Sequence, residues 1–347
     1  MIAFFLYILF EFTDTIFSSF LMYIHFPSKS HTFFSASSYG YLITLSNLLG
    51  FTLLLLGLYR FGFLSYSFYL ATLSVLSLLI GFSHSMASFV LIFLFFIFHT
   101  AFFFWYEVLA VKFEKFEALI GLSYSAGFFA LGILLFFEKL SLPLLSVLYS
   151  VSLFSMLLLR KIELPQKRLR VFQLKTSKFI TEVLTVWLMG EYAEVLASMA
   201  YYVLKDTAPL SDAQIHKLFA VALLSAFLSA LISPFLLERL NIKRFGRLTL
   251  LLMISIPFLL GFPSLFYLLS TLVGSSIAFY WVFFRTYLYY TYPKEEYIGR
   301  FMFFYFSSHI GGVFLYSLLF QLFQSHQLSL LIFSTLLFPV LIVNIFS

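Results

Sequence analysis

Apolar stretches of about twenty residues follow one another along the whole chain, and no polar stretch between them is long enough to form a soluble domain. Crossing the hydrocarbon core of a bilayer takes roughly 20 mostly apolar residues of helix. Inside it, backbone polar groups are satisfied only within helices or closed barrels. Spans read near 2–25, 36–58, 64–84, 86–111, 117–138, 141–159, 179–204, 214–237, 247–262, 264–291, 297–321 and 327–346, twelve in all. Of the 347 residues, 62% are hydrophobic and 10% charged, whereas soluble domains carry about 25% charge. The expected fold is therefore an all-α polytopic membrane protein. The run from Ile2 to about His25 has no basic n-region and no small-residue cleavage site, so it is expected to remain as the first helix.

Basic residues set the expected orientation. With the N-terminus inside, sixteen Lys and Arg fall in cytoplasmic segments and four outside: Lys29, Lys139, Lys205 and Lys217. This is the positive-inside bias. It predicts a multi-pass protein of the cell membrane with both termini cytoplasmic. The net charge of +6 then faces anionic lipid and needs no nucleic acid to explain it. With no cysteine, the chain has no disulfides, thiolate metal sites or redox pairs. Its scattered histidines form no His-Glu-x-x-His helix, and no phosphate-binding Gly-x-x-x-x-Gly-Lys-Ser/Thr loop occurs. No cofactor or metal is expected.

The longest polar interruption, the strongly basic 161–178, divides the chain into six-helix halves at 1–160 and 179–347. The halves look like copies. Tyr7, Glu11, Asp14 and Ser18 in the first span match Trp187, Glu191, Glu194 and Ser198 in the seventh, each reading aromatic, Glu, acid, Ser at steps of four, three and four. That spacing places all four on one helix face. Arg60-Phe61-Gly62 after span two corresponds to Arg244-Phe245-Gly246 after span eight, and Glu107 corresponds to Arg285, each fourteen residues before a Gly (Gly121, Gly299). Parallel repeats of this kind build one large class of secondary transporters.

In this layout the chain resembles the major facilitator superfamily. The resemblance rests on the 6+6 arrangement, the basic central loop and two loop signatures. Glu238-Arg239-Leu240-Asn241-Ile242-Lys243-Arg244-Phe245-Gly246-Arg247 is similar to a stretched form of the family's Gly-x-x-x-Asp-Arg-x-Gly-Arg-Arg motif, of which the first half keeps only Gly57, Arg60 and Gly62. Tyr292-Pro293-Lys294-Glu295-Glu296 leading to Gly299-Arg300 is the other. The resemblance implies a gating loop at Glu238, Arg239, Arg244, Gly246 and Arg247. It also implies a central cavity lined by helices one, four, seven and ten. Those four helices hold Glu11, Asp14, Glu107, Glu191, Glu194 and Arg285, together with Trp105, Trp187 and Trp281.

A charge at mid-membrane costs roughly 2.5–3.5 kcal/mol on insertion scales, so acids clustered on one face imply water, a partner or a proton. The same residues could also bond to Ser, Tyr or Trp neighbours and fix helix packing. Glu107 with Arg285 is a candidate cavity ion pair, gating or static. The three tryptophans are candidate walls for an organic cation, or ordinary packing. His99 and His309 are second-rank candidates for a proton relay. Glu182, near the interface, is expected to favour a helix N-terminus.

The leading expectation is a monomeric, proton-coupled secondary active transporter, surrounded by membrane lipid, that moves a small cationic, zwitterionic or neutral solute by alternating access and performs no covalent chemistry. Two other classes are a non-transporting assembly or sensor subunit derived from a transporter, and a membrane-embedded lipid-modifying enzyme. Against the enzyme, the sequence has no metal-ligand cluster, no Asp-rich diphosphate motif and no nucleophile–base spacing.

Overall fold

The computed structural model describes residues 2–60, 64–83, 87–113, 117–157 and 186–340. The basic linker, Glu182 and Phe61-Gly62 lie outside the described residues. Helices account for nearly all of the rest, in the order α1 (Ile2–Ser30), α2 (Ala36–Arg60), α3 (Leu64–Phe82), α4 (Ala87–Lys112), α5 (Glu117–Phe136), α6 (Leu142–Met156), α7 (Leu188–Ser198 continued by Ala200–Thr207), α8 and α9 (together Asp212–Leu260), α10 (Phe266–Thr291), α11 (Lys294–Phe323) and α12 (His326–Thr335). Within the described residues, each of the twelve spans read from the sequence overlaps one of these helices; positions 84, 86, 158–159, 179–185 and 341–346 of those spans lie outside the described residues.

Local chemistry sets the ends and breaks. Ser141, Ser211 and Ser325 are N-caps that accept from Leu144, Gln214 and Leu328 amides, and Ser211 with Gln214 closes a capping box. α1 carries a π-helical stretch at Leu21–His25, and α7 breaks at Met199. The expected loop between spans eight and nine is absent. The chain instead turns on one residue, Asn241, at φ 58° and ψ 166°, and the Asn241 Oδ1 accepts from the Arg244 amide. At 49 residues and about 1.5 Å per residue, this element is long enough for two crossings. It is accordingly numbered as α8 (212–240) and α9 (242–260).

The chain forms two compact units. One comprises Met1–Phe26 with Leu45–Arg168; the other comprises Pro27–Thr44 with Leu169–Ser347. In the first, α1 packs on α5 and α6, and α3 packs on α4 and α6. Phe10, Phe17 and Phe95 gather around Tyr149. Glycines bring helices close: a side chain at Gly50 would meet Thr100, and one at Gly127 would meet Thr15. In the second unit, α7 packs on α11 and α10, and the α8–α9 pair packs on α10 and α12. Large apolar side chains such as Phe5, Phe68, Phe82, Val90, Phe235 and Phe258 are exposed, while serines such as Ser74, Ser146, Ser233, Ser276 and Ser317 are buried. That inversion suits helices whose outer faces meet hydrocarbon and whose inner faces pack through small residues.

Candidate functional site

All five candidate acids are buried. Glu11 is 2% exposed, Asp14 8%, Glu107 1%, Glu191 3% and Glu194 6%. Ionised carboxylates are tolerated in an interior only with partners. Among the described residues, each unit brings the second acid of its repeated motif onto an imidazole.

In the first unit, His99 Nε2 on α4 lies 3.0 Å from Asp14 Oδ1 on α1. A neutral His99 satisfies this bond by donating Nε2–H to the carboxylate. Its ring stacks on Phe95, and Tyr149 lies beside the same carboxylate. Ser18, the last residue of the motif, turns back to donate to the Asp14 carbonyl.

In the second unit, His309 Nε2 on α11 lies 3.0 Å from Glu194 Oε2 on α7. Ser198, the last motif residue here, donates to Glu194 Oε1. The other nitrogen of the imidazole is engaged as well. His309 Nδ1 is 2.9 Å from the Tyr305 carbonyl, and a carbonyl only accepts, so Nδ1 carries the hydrogen. A neutral imidazole would then present a bare lone pair to a carboxylate. At 3.0 Å, Nε2 and Oε2 make a close ion-pair contact that a shared proton, held as imidazolium with carboxylate or as imidazole with carboxylic acid, would satisfy. The Asp14–His99 contact is a hydrogen bond that a neutral imidazole already makes.

An aromatic strip leads to this pair. Phe301, Tyr305 and His309 follow at steps of four on α11, with Tyr305 3.9 Å from His309 and 5.9 Å from Phe301 between ring centroids. Trp281 on α10 lies beside Tyr305 at 5.8 Å, and the Arg285 guanidinium sits over the Phe301 ring at 5.5 Å. Trp281, Arg285 and Tyr305 are half-buried. The Glu191 carboxylate is seated over Gly311, and its backbone lies against Gly312, so α7 and α11 meet nearly backbone to backbone. Trp187 packs at the same glycine. The Tyr280 hydroxyl is within electrostatic reach of both Glu191 and Glu194.

The remaining candidates are placed as follows. Trp105 is fully buried in the first unit, against Tyr66 and Phe104. Of the motif around Asn241, Glu238 and Arg239 end α8, exposed, and Arg244 is exposed in the first turn of α9. Gly246 is buried beneath the Phe283 ring, and Arg247 is half-buried. The acids were legible in the sequence because charge inside an apolar run is conspicuous. The rank of the histidines was not, since their pairing crosses between helices.

No protein-family model matches the chain, and no curated protein does. Among solved structures it is similar to the nucleoside transporter NupG. A point mutant of that protein superposes with a TM-score of 0.69 at 14% identity over 99% of both chains. A second structure, of NupG itself, gives 0.65 at 15% identity over 99% of this chain and 98% of the other. The architecture is thus an all-α fold of twelve helices of the major-facilitator-like kind, as the resemblance implied.

Proposed function

We propose that this chain is a proton-coupled secondary transporter, working by alternating access, whose solute is a small neutral molecule bearing a flat ring and hydroxyl groups, of the nucleoside class. The close contact between the buried Glu194 and His309 carries this reading. A coupling site must take up and release a proton at modest cost, and a carboxylate–imidazole pair does so as one unit. Breaking the His309 contact with solute bound, or restoring it on release, would tie that proton to the solute.

Of the cationic, zwitterionic and neutral classes expected from an acidic interior, the neutral ring-bearing one fits this site best. The half-buried Trp281 and Tyr305 offer stacking faces beside the pair, and Glu191 is an acceptor for hydroxyl donors. The fold shared with a nucleoside transporter supports the same choice. Asp14–His99 is the corresponding pair of the other half and would modulate the cycle. The basic loops support a cell-membrane location with cytoplasmic termini.

The solute class is tested by counterflow of radiolabelled uridine in proteoliposomes, with adenosine, choline, alanine and glucose as competitors. Competition by adenosine alone is expected. Competition by choline or alanine, or no counterflow of uridine at all, would overturn the nucleoside assignment.

A further inference from the structure

A second set of titratable groups lies away from Glu194 and plays no part in the proposed transport site. Asp206, two residues past the predicted apolar run of α7, is held on both oxygens. His31 Nε2, just past the end of α1, is 2.6 Å from Oδ1, and His326 Nε2, at the start of α12, is 2.9 Å from Oδ2. The other nitrogen of His326 lies 2.5 Å from the Tyr316 hydroxyl on α11. A carboxylate only accepts, so both imidazoles donate to it.

These bonds fasten one segment. Pro27–Thr44, the end of α1, its connection and the start of α2, belongs to the second compact unit although it lies in the first half of the sequence. Besides His31, it is held by the Tyr202 hydroxyl on Ser30 at 2.9 Å. Tyr39 stacks on Tyr202 at 4.6 Å, Tyr41 bonds to Gln321 at 2.7 Å, and Gly40 lies directly on Ser317. His31 is the titratable side chain among these attachments that points at a charge.

We propose that Asp206, His31 and His326 form a proton-binding site, distinct from Glu194–His309, whose occupancy locks the 27–44 segment onto α7, α11 and α12. Imidazoles change charge between about pH 5 and 8. A protonated imidazole donates a charge-assisted bond to Asp206 roughly twice as strong as a neutral one. Tyr316 lets His326 take up its proton without losing a contact, because a hydroxyl donates to neutral Nδ1 and accepts from Nδ1–H equally well. The site is open at the protein surface, as the side chains of His31 and Asp206 are 26% and 32% exposed.

The sign follows from Asp206. Burial acts to raise its pKa, and the bonds and charges of His326 and His31 overcome this and lower it from 3.8. Asp206 therefore stays ionised above the ordinary carboxylate range, and a proton added to either imidazole tightens the lock. Among the described residues, Tyr202 and Tyr316 are titratable groups near the carboxylate, and the Tyr201 ring lies edge-on to His31 at 6.1 Å. The neighbouring Lys205 is engaged with Asp212 at 2.8 Å.

The chain has no cysteine, so spin labels can be placed at Thr32→Cys and Leu322→Cys, both exposed, in the full-length protein in nanodiscs. Their distance distribution is read by electron–electron resonance at about pH 5.5 and about pH 8, either side of the imidazole range. A single short distance at acid pH is expected, with a longer population at least doubling at alkaline pH. Asp206→Asn should show the longer population at both pH values, and His31→Gln should lose most of the pH response. Identical distributions at the two pH values without further substitution, or an unchanged pH response in His31→Gln, would overturn the proposal. His31 lies in an accessible turn, so its variant reports even if Asp206→Asn fails to fold. The measurement uses neither solute nor gradient, so its failure leaves the transport reading standing, and the reverse also holds.

Discussion

Glu194 is held by Ser198 on its own helix and by His309 on α11, and His309 is held in turn by the Tyr305 carbonyl. Removing the imidazole while keeping a ring, as in His309→Phe, strands a buried acid. Breaking one partner of a buried pair costs about 3–5 kcal/mol, so a marked fall in the thermal unfolding midpoint in detergent is expected. Glu194→Gln keeps a hydrogen-bonding side chain of the same size and should fall much less. Equal loss in the two variants would argue against a proton-bearing pair. Outside the membrane, the hydrogen bond from Lys205 is the main cause that lowers the Asp212 pKa from 3.8, with burial opposing and Tyr201 assisting. A depressed carboxylate pKa contributes stability that is present above about pH 4 and is lost as pH falls through the folded value. Asp212→Asn should therefore flatten the loss of unfolding midpoint below pH 3.8 and change nothing between about pH 5 and 8. A change confined to neutral pH would contradict that sign.

Helix α9 begins at the residue where sequence reasoning expected a loop. The run from Glu238 to Gly246 is charged, and charge between apolar spans normally marks a connection. The spacing could not reveal that one residue in an unusual conformation makes the whole turn. Asn241 both caps α9 and occupies a backbone region that is close to Gly-only. Its cap is worth only a few tenths of a kcal/mol more than glycine's, whereas strain of this kind costs of order 1–3 kcal/mol. Asn241→Gly should raise the unfolding midpoint and Asn241→Val should lower it; the opposite order would show that the cap outweighs the strain. The remaining helices were legible because length and apolarity alone decide whether a segment spans. The break in α7 at Met199 was not, since no Pro or Gly marks it, whereas the π-helical stretch in α1 ends just before Pro27, which removes a donor from the helix ladder. Nothing in the spacing of Gly311 and Gly312 marks them as the seat of Glu191.

At the scale of the molecule, repetition was the informative signal. The two copies of the acid motif lie on α1 and α7, and each delivers its second acid to a histidine, yet from helices that the repeat does not relate: His99 is on α4 and His309 on α11. The copies therefore differ chemically: His99 bonds Asp14 as a neutral imidazole can, whereas His309, its Nδ1 already turned to the Tyr305 carbonyl, meets Glu194 as a close ion-pair contact. In the proposed reading one half carries the coupled proton and the other supports it. The direct test is to load proteoliposomes with a pH dye, add uridine outside, and compare the unmodified chain with Glu194→Gln and Asp14→Asn. A uridine-dependent proton movement that vanishes in Glu194→Gln, while uridine counterflow persists there and Asp14→Asn keeps some coupling, is the predicted result. Undiminished proton movement in Glu194→Gln would contradict the assignment of the coupled proton to this pair.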